Sequence, residues 1–162
     1  MIVRQARSTD IRTLAALGVI AWEQAFAAAG EVTNHLREKA EATYFGFCEQ
    51  YWPIIIAAEA DGEVVGWAAL EVGQNKITDL WVLPNFQRHG VGSALLSELE
   101  KQAIAREFDE IDLETHAKNA AALSFFKKHG YAISGLKSTY SPTMDKSVDT
   151  LEMRKRFNSV SI

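Results

Sequence analysis

The segment ITDLWVLPNFQRHGVGSALLSELE, residues 77–100, joins an apolar strand to an amphipathic helix through a loop with two glycines. Residues 77–82 crowd apolar side chains into a short run that ends before Pro84, a pattern that predicts a buried strand. Apolar side chains then recur every four residues, at Val91, Leu95, Leu99 and Ala103. Such spacing places them on one face of a helix. The segment is therefore predicted to fold as strand, turn, loop and helix.

The loop between this strand and this helix is predicted to bind a phosphate. Gly90 and Gly92 let the main chain approach a ligand, and the first turn of the helix offers free N–H groups at its positive end. A Walker loop is excluded because no Lys-Ser or Lys-Thr follows Gly92, and a dinucleotide fingerprint is excluded because Leu95 stands where a third glycine is required. The alternative is an ordinary strand-turn-helix in which the glycines serve only the turn.

The loop resembles the acetyl-CoA loop of the GNAT superfamily of N-acetyltransferases, which reads Gln/Arg-x-x-Gly-x-Gly/Ala after a Val-x-Pro step. Gln87, Gly90 and Gly92 match the loop, and Val82 with Pro84 matches the step. The run NAAALSFFKKHGY, residues 119–131, resembles the second cofactor element of the same family. The resemblance implies acetyl-CoA as cosubstrate. The cofactor contacts that it implies are Leu80, Trp81, Val82, Gln87, Arg88, His89, Gly90, Val91, Gly92, Ser93, Asn119 and Phe126.

The fold follows from the order of strand and helix patterns along the chain. Strands are predicted at residues 2–6, 54–58, 64–70, 77–82 and 111–115, with a hairpin turn at Asp61-Gly62 and a closing hairpin within residues 135–153. Helices are predicted after Ser8-Thr9-Asp10 as N-cap candidates, from Thr33 to the breaker Pro53, from Val91, and after Asn119, with Gly30 turning the chain between the first two. The prediction is a mixed α/β (α+β) domain over residues 1–162, with a mostly antiparallel central sheet of six or seven strands, one parallel pair and four helices.

Composition narrows the classes of partner and compartment. The chain has 162 residues, 48% hydrophobic and 23% charged, which fits one ordinary globular domain. A net charge of -4 argues against nucleic acid as a partner. No run approaches about 18 apolar residues and the first residues carry charge, so a cytoplasmic protein without membrane contact is expected. The single cysteine, Cys48, forbids an intrachain disulfide and is expected in the core.

Acetyl transfer to an amine needs a proton acceptor, because an alkylammonium has a pKa of about 10.4. Glu114 is the first candidate, since it stands five residues before Asn119 as in the bacterial ribosomal-protein-alanine acetyltransferases, which the closing hairpin also resembles. Asp79 is the second candidate and His116 the third. Many family members carry a glutamate near the start of the central strand, where this chain has Lys76.

The general acid expected from the resemblance is absent. Family members often have a tyrosine seven residues after the asparagine, and this chain has Phe126 there. Tyr140 or a water is the predicted substitute, because losing one general acid typically costs about 10² to 10⁴ in rate. The resemblance also implies that the main-chain N–H of Val82 stabilises the oxyanion. The first two helices would form the acceptor wall, with Trp22, Glu23, Phe26, Tyr44 and Tyr51 as candidate contacts.

Two functions are therefore expected from the sequence. The first is an acetyl-CoA-dependent N-acetyltransferase that acts on a primary amine of a small molecule or a peptide, by direct attack in a ternary complex. The second is a catalytically weak acyl-CoA-binding regulatory module, suggested by Phe126 and Lys76. A homodimer that pairs through its last strands or helices is also expected.

Overall fold

A computed structural model describes residues 1–27, 32–142 and 144–157. Within them the chain forms seven strands: β1 (Ile2–Gln5), β2 (Ile55–Ala60), β3 (Glu63–Leu70), β4 (Lys76–Val82), β5 (Glu110–His116), β6 (Ala132–Ser141) and β7 (Lys146–Arg156). Four α-helices accompany them: α1 (Ile11–Ala27), α2 (Asn34–Tyr51), α3 (Val91–Ala105) and α4 (Ala120–Lys128). No helix in these ranges combines the length and the apolar character needed to cross a membrane.

The strands form one sheet in the order β1-β2-β3-β4-β5-β7-β6. Neighbouring strands are antiparallel except β4 and β5, which are parallel because α3 carries the chain back between them. The predicted fold class, with its one parallel pair, is confirmed. The parallel register covers only two residue pairs, Lys76 with Asp112 and Ile77 with Leu113. The rest of the two strands therefore diverges and leaves a gap in the sheet.

The helices cover both faces of the sheet. Leu95 and Leu99 of α3 are fully buried against β2, β3 and β4, as their spacing predicts. The helices α1 and α2 bury Leu14, Trp22 and Cys48 against the other face, so the expected core position of Cys48 is confirmed. A Cβ on Gly66 of β3 would lie 3.0 Å from both the Trp81 carbonyl oxygen and Val91 Cγ1. This glycine therefore lets the first turn of α3 lie against the sheet.

The helices start where the sequence predicts. Asn119 accepts from the Ala122 N–H, as predicted for an N-cap, and Thr33, at the predicted start of α2, accepts from the Leu36 N–H. The helix α1 begins at Ile11, directly after Ser8-Thr9-Asp10 as predicted. The capping role predicted for those residues is wrong, because residues 8–10 form a 3-10 turn capped at Arg7, and the Asp10 carboxylate accepts from the Arg7 N–H at 2.7 Å. The helix α2 ends at Tyr51, before Pro53. The turn predicted at Gly30 lies outside the described residues.

Candidate active site

The gap between β4 and β5 opens next to the glycine loop. β4 continues to pair with β3 up to Val82, whereas its pairing with β5 stops at Ile77. The side chains of Leu80 and Val82 pack on the α3 side of the sheet, and that of Trp81 packs on the side of α1 and α2. The main chain of residues 80–82 thus borders the gap, and a strand edge of this kind can accept an extended ligand.

The loop places the first turn of α3 at the mouth of this gap. Gly90 occupies the N-cap with a φ of 82°, a left-handed conformation that glycine adopts without strain. A Cβ built on Gly90 would meet no atom within 4 Å. Because Ala94 donates the first helical hydrogen bond to the Gly90 carbonyl at 3.0 Å, the N–H groups of residues 91–93 have no acceptor within the helix. Open space and these donors together fit an anion.

Gly92 plays a different part from Gly90. A Cβ on Gly92 would lie 3.2 Å from ring atoms of Phe125 on α4, a contact that requires the ring to shift. The glycine therefore allows α4 to pack closely on the first turn of α3. Both glycines of the loop are needed, one for its main-chain conformation and one for the contact between two helices.

Gln87 fastens the loop to the rest of the protein. Its Nε2 donates to the Val82 carbonyl oxygen at 3.1 Å and to Gln24 Oε1 on α1 at 2.9 Å. The side-chain donors of this predicted cofactor residue are thus used inside the protein, at the end of β4. Arg88 and His89, also predicted as cofactor contacts, are exposed on the loop.

His129 belongs to this region and was not singled out from the sequence. Its Nε2 lies 2.9 Å from Ser93 Oγ in the first turn of α3, and its Nδ1 lies 2.8 Å from the Phe125 carbonyl oxygen. The sequence signal for His129 is its place in the last turn of α4, which also suits a C-capping residue. Only the packing of α4 on α3 brings it to Ser93.

Glu114, the first candidate base, is held by two lysines. Lys76 Nζ lies 3.1 Å and Lys137 Nζ 2.5 Å from Glu114 Oε1. Partial burial acts to raise the pKa of Glu114, but the hydrogen bonds from Lys137 and Lys76 outweigh it and the pKa is lowered. The lysine at the start of β4 thus pairs with the carboxylate that the sequence favours as a base, which makes that carboxylate a weaker base.

Asp79, the second candidate, has the opposite environment. Burial raises its pKa from 3.8 to about 6, and hydrogen bonds from Trp81 and Thr78 oppose this only in part. Trp81 Nε1 donates to Asp79 Oδ1 at 3.0 Å. Burial raises the pKa values of Tyr44 and Cys48, and the charge of Asp79 raises both further. The pKa of Cys48 reaches about 12. Asp79 therefore lies between β4 and α2 with a pKa close to neutrality, a property common at functional sites.

His116, the third candidate, is constrained by the main chain. Its Nδ1 accepts from the Lys118 N–H at 3.1 Å. A neutral His116 ring therefore carries its proton on Nε2 and has no lone pair there to accept another. Its ring meets Phe26 of α1 edge-on, with ring centroids 5.0 Å apart. This contact joins α1 to the end of β5.

Tyr140, the predicted substitute proton donor, and Phe126, which stands where relatives often have a tyrosine, lie in different surroundings. Tyr140 is 55% exposed, and its hydroxyl donates to Asp145 Oδ1 at 2.6 Å, while Lys39 of α2 binds the same carboxylate at 2.7 Å. The tip of the β6-β7 hairpin is thus fastened to α2. Phe126 is only 6% exposed and packs edge-on against Tyr131, with centroids 5.3 Å apart. Its ring belongs to the core and offers little surface to a ligand.

The predicted acceptor wall is mostly core. Trp22, Phe26 and Tyr44 are all buried in the cluster under α1 and α2. Glu23 forms an ion pair with Arg37. The more exposed aromatic ring of this region is Trp81, which Tyr44 meets edge-on at 5.5 Å between centroids. Trp81 of β4 therefore contacts α2, and the charge of Asp79 acts on Tyr44 and Cys48 of the same helix.

Parts of this sequence are similar to those of known proteins. A mycothiol acetyltransferase of Clavibacter michiganensis is 36% identical over 80 residues, which cover 48% of this chain and 26% of the relative. The ribosomal protein bS18-alanine N-acetyltransferase of Escherichia coli is 32% identical over 99 residues, 57% of this chain and 64% of the relative. The matches thus span less than two thirds of either curated relative.

A solved structure shows the same fold. The PaiA N-acetyltransferase of Thermoplasma acidophilum, determined in complex with coenzyme A, superposes with a TM-score of 0.78 at 19% identity, over 96% of this chain and 98% of that one. The family model of the acetyltransferase (GNAT) family matches residues 16–131, which include α3, the gap between β4 and β5, and α4. Since that match covers well over half of the chain, the protein belongs to the acetyltransferase (GNAT) family.

Proposed function

We propose that the protein is an acetyl-CoA-dependent N-acetyltransferase that acetylates a primary amine by direct attack in a ternary complex. The observation that carries the proposal is the gap between β4 and β5 beside the free N–H groups at the start of α3. Relatives named as acetyltransferases, and a similar structure that holds coenzyme A, support the same cosubstrate. The open space at Gly90 leaves room for it.

The main chain holds most of the cosubstrate in this proposal. Residues 80–82 pair with its pantetheine arm as an added strand. The N–H groups of Val91, Gly92 and Ser93 bind its pyrophosphate, with the positive end of α3 adding to the attraction. Asn119 keeps its side-chain nitrogen for the arm, because its oxygen already accepts from Ala122.

Asp79 is the proton acceptor that the geometry favours. The amine nitrogen bonds to the acetyl carbon, the carbon–sulfur bond breaks with its electron pair on sulfur, and the amine proton passes to Asp79. A base works best when its pKa lies near the working pH, and the pKa of Asp79 is about 6 whereas that of Glu114 is lowered. The Val82 N–H donates to the carbonyl oxygen, and the leaving thiol has an ordinary pKa of about 8.5, so Tyr140 or water suffices as its proton source.

The proposed acceptor is a primary amine of a small molecule or a peptide. One relative is named for an alanine of ribosomal protein bS18 and the other for mycothiol, so both a peptide and a small acceptor have precedent among similar proteins. The half-buried side chains of Asp79 and Trp81 suit an ammonium group, since a carboxylate and an indole ring both attract a cation.

The test is a screen for thiol release from acetyl-CoA with a panel of amines, including a peptide with an N-terminal alanine and small diamines. Calorimetry of coenzyme A binding runs beside it. Binding together with release by at least one amine supports the enzyme. Binding without release for every amine favours the second candidate, an acyl-CoA-binding regulatory module, for which the lysine pair on Glu114 and the buried Phe126 are the favouring observations. Absence of binding contradicts both.

A homodimer formed through β6 is the accompanying proposal. This strand lies at the edge of the sheet and pairs only with β7. Its side chains Ile133 and Leu136 are 48% and 68% exposed, which is high for apolar residues on an edge strand. Light scattering at micromolar concentration tests the homodimer, and a mass equal to one 18.0 kDa chain contradicts it.

A cytoplasmic location is also proposed. The buried, free thiol of the single cysteine supports it.

A further inference from the structure

Ser93 is the one side chain with a hydroxyl in the first turn of α3, the turn whose N–H groups face the mouth of the gap. Its Oγ is 2.9 Å from His129 Nε2, and both residues are half-buried. A hydroxyl beside free N–H groups can donate to the same anion. Whether it does so depends on where its hydrogen points.

The direction of that hydrogen follows from the other end of the imidazole ring. His129 Nδ1 lies 2.8 Å from the Phe125 carbonyl oxygen, which can only accept. The proton of a neutral His129 ring must therefore sit on Nδ1. Nε2 is then a bare acceptor, and the Ser93 hydroxyl donates to it. In this state Ser93 turns its lone pairs, and not its hydrogen, toward an anion at the helix start.

Protonation of the ring reverses the hydrogen bond. With a proton on each nitrogen, Nε2–H donates to Ser93 Oγ while Nδ1–H keeps its bond to the Phe125 carbonyl oxygen. The Ser93 hydrogen is then released and can point at a phosphate oxygen. The ring also adds a positive charge one side chain away from the first turn of α3. Both changes favour an anion, and an anion in turn favours the protonated ring.

We propose that His129 is a positioning residue for the pyrophosphate of the cosubstrate, and that it takes up one proton from solvent on binding to turn the Ser93 hydroxyl toward the phosphate. The inference rests on the proposed function, since it concerns the same anion cradle. By linkage, the extra affinity is present at low pH and is lost as the pH rises through the range in which imidazole deprotonates.

The lysines around His129 do not produce the same pH dependence of affinity. Lys127 and Lys128 share the last turn of α4, and Lys155 of β7 lies beside Gly130 with its ammonium paired to Glu100 of α3. Lysines keep their charge between about pH 5 and 8. In the loop, Arg88 and His89 are exposed and belong to the predicted cofactor contacts. His35 is an exposed histidine on α2, outside the loop and α4, and supplies the matched control.

The test uses the full chain and dephospho-coenzyme A, which keeps the pyrophosphate but lacks the 3′-phosphate that itself titrates near about pH 6. Calorimetry between about pH 6 and 8 should show the affinity of the parent falling by roughly tenfold, the equivalent of one pKa unit of linkage. Near neutral pH the binding heat should vary with the ionisation enthalpy of the buffer, as expected for net proton uptake. His129→Gln should flatten the pH dependence and remove the uptake, and His35→Gln should retain both.

The Ser93→Ala variant distinguishes an effect that acts through the Ser93 hydroxyl from an effect of the His129 charge alone. It should weaken binding most at the low end of the pH range, where only the parent can donate the hydroxyl. A pH dependence that persists in His129→Gln, or that disappears in His35→Gln, overturns the inference. No binding of dephospho-coenzyme A by the parent at any pH overturns the proposed function itself.

A second measurement does not depend on the folding of any variant. The ring-nitrogen chemical shifts of His129 in the parent report its protonation state directly. Saturation with dephospho-coenzyme A near neutral pH should move Nε2 from an acceptor to a protonated shift, with Nδ1 protonated before and after. A ring that stays neutral in the saturated protein rejects the inference, as does one whose proton lies on Nε2 in the free protein.

Discussion

The Cβ that Gly92 lacks would lie 3.2 Å from the aromatic ring of Phe125. This distance joins the first turn of α3 to α4, the two helices on which the cofactor motifs lie. The second loop glycine therefore acts through the contact between helices as well as through access to a ligand.

Replacement of Gly92 by valine should weaken coenzyme A binding and lower the free energy of unfolding by about 1–3 kcal/mol, as overpacking does. The double change Gly92→Val with Phe125→Leu should recover part of the stability, because a smaller side chain leaves space. Calorimetry and urea unfolding measure the two effects. Gly46→Ala is the control, since no atom lies within 4 Å of its added Cβ and the helix should gain stability. Equal stability of parent and Gly92→Val contradicts the packing role.

Loss of the Asp79 carboxylate should lower kcat by about 10² or more and leave coenzyme A affinity unchanged. In the parent, kcat/KM should fall as the pH drops through about 6, because a base must be deprotonated to act. Asp79→Asn should lose this limb of the profile, whereas Glu114→Gln should keep it. If the fall of kcat/KM at low pH is lost only in Glu114→Gln, Glu114 and not Asp79 is the base.

Asp79 should also make stability depend on pH. Its pKa is raised by burial above the ordinary 3.8, so the stability that the protonated group contributes is present at low pH and is lost as the pH rises through about 6. Asp79→Asn should therefore gain stability relative to the parent at about pH 8 and gain little at about pH 4. Urea unfolding at both values measures this, with the exposed Glu63→Gln as control. An equal change at both pH values would mean that the carboxyl is not desolvated.

Tyr140→Phe tests whether the hairpin supplies the proton for the leaving sulfur. If its hydroxyl is the general acid, kcat should fall by about 10² to 10⁴ at unchanged coenzyme A affinity. Tyr51→Phe is a matched control, since Tyr51 packs against Phe47 at the far end of α2. Turnover that survives Tyr140→Phe assigns the proton to water and leaves Tyr140 a structural role through its hydrogen bonds with Asp145 and Lys39.

Local patterns in the sequence determined the elements and the position of the glycine loop. Four-residue spacing specified the buried face of α3, and Thr33 and Asn119 marked two helix starts, because capping and helical periodicity involve residues close together in the chain. The start of α1 was predicted, but its cap was not, because the Asp10 carboxylate accepts from the upstream Arg7 N–H, a choice that sequence spacing alone leaves open. The strand-helix-strand order around α3 was enough to predict the parallel pair.

Tertiary structure alone decided the chemistry of the site. Glu114 and Asp79 are both acidic residues on strands, and nothing near them in sequence distinguishes them. Lys137 reaches Glu114 from β6, whereas Asp79 is desolvated between β4 and α2, so burial and long-range ion pairs move their pKa values in opposite directions. The bond from Ser93 to His129 likewise spans 36 residues. Electrostatic surroundings depend on distance in space, and the fold sets those distances.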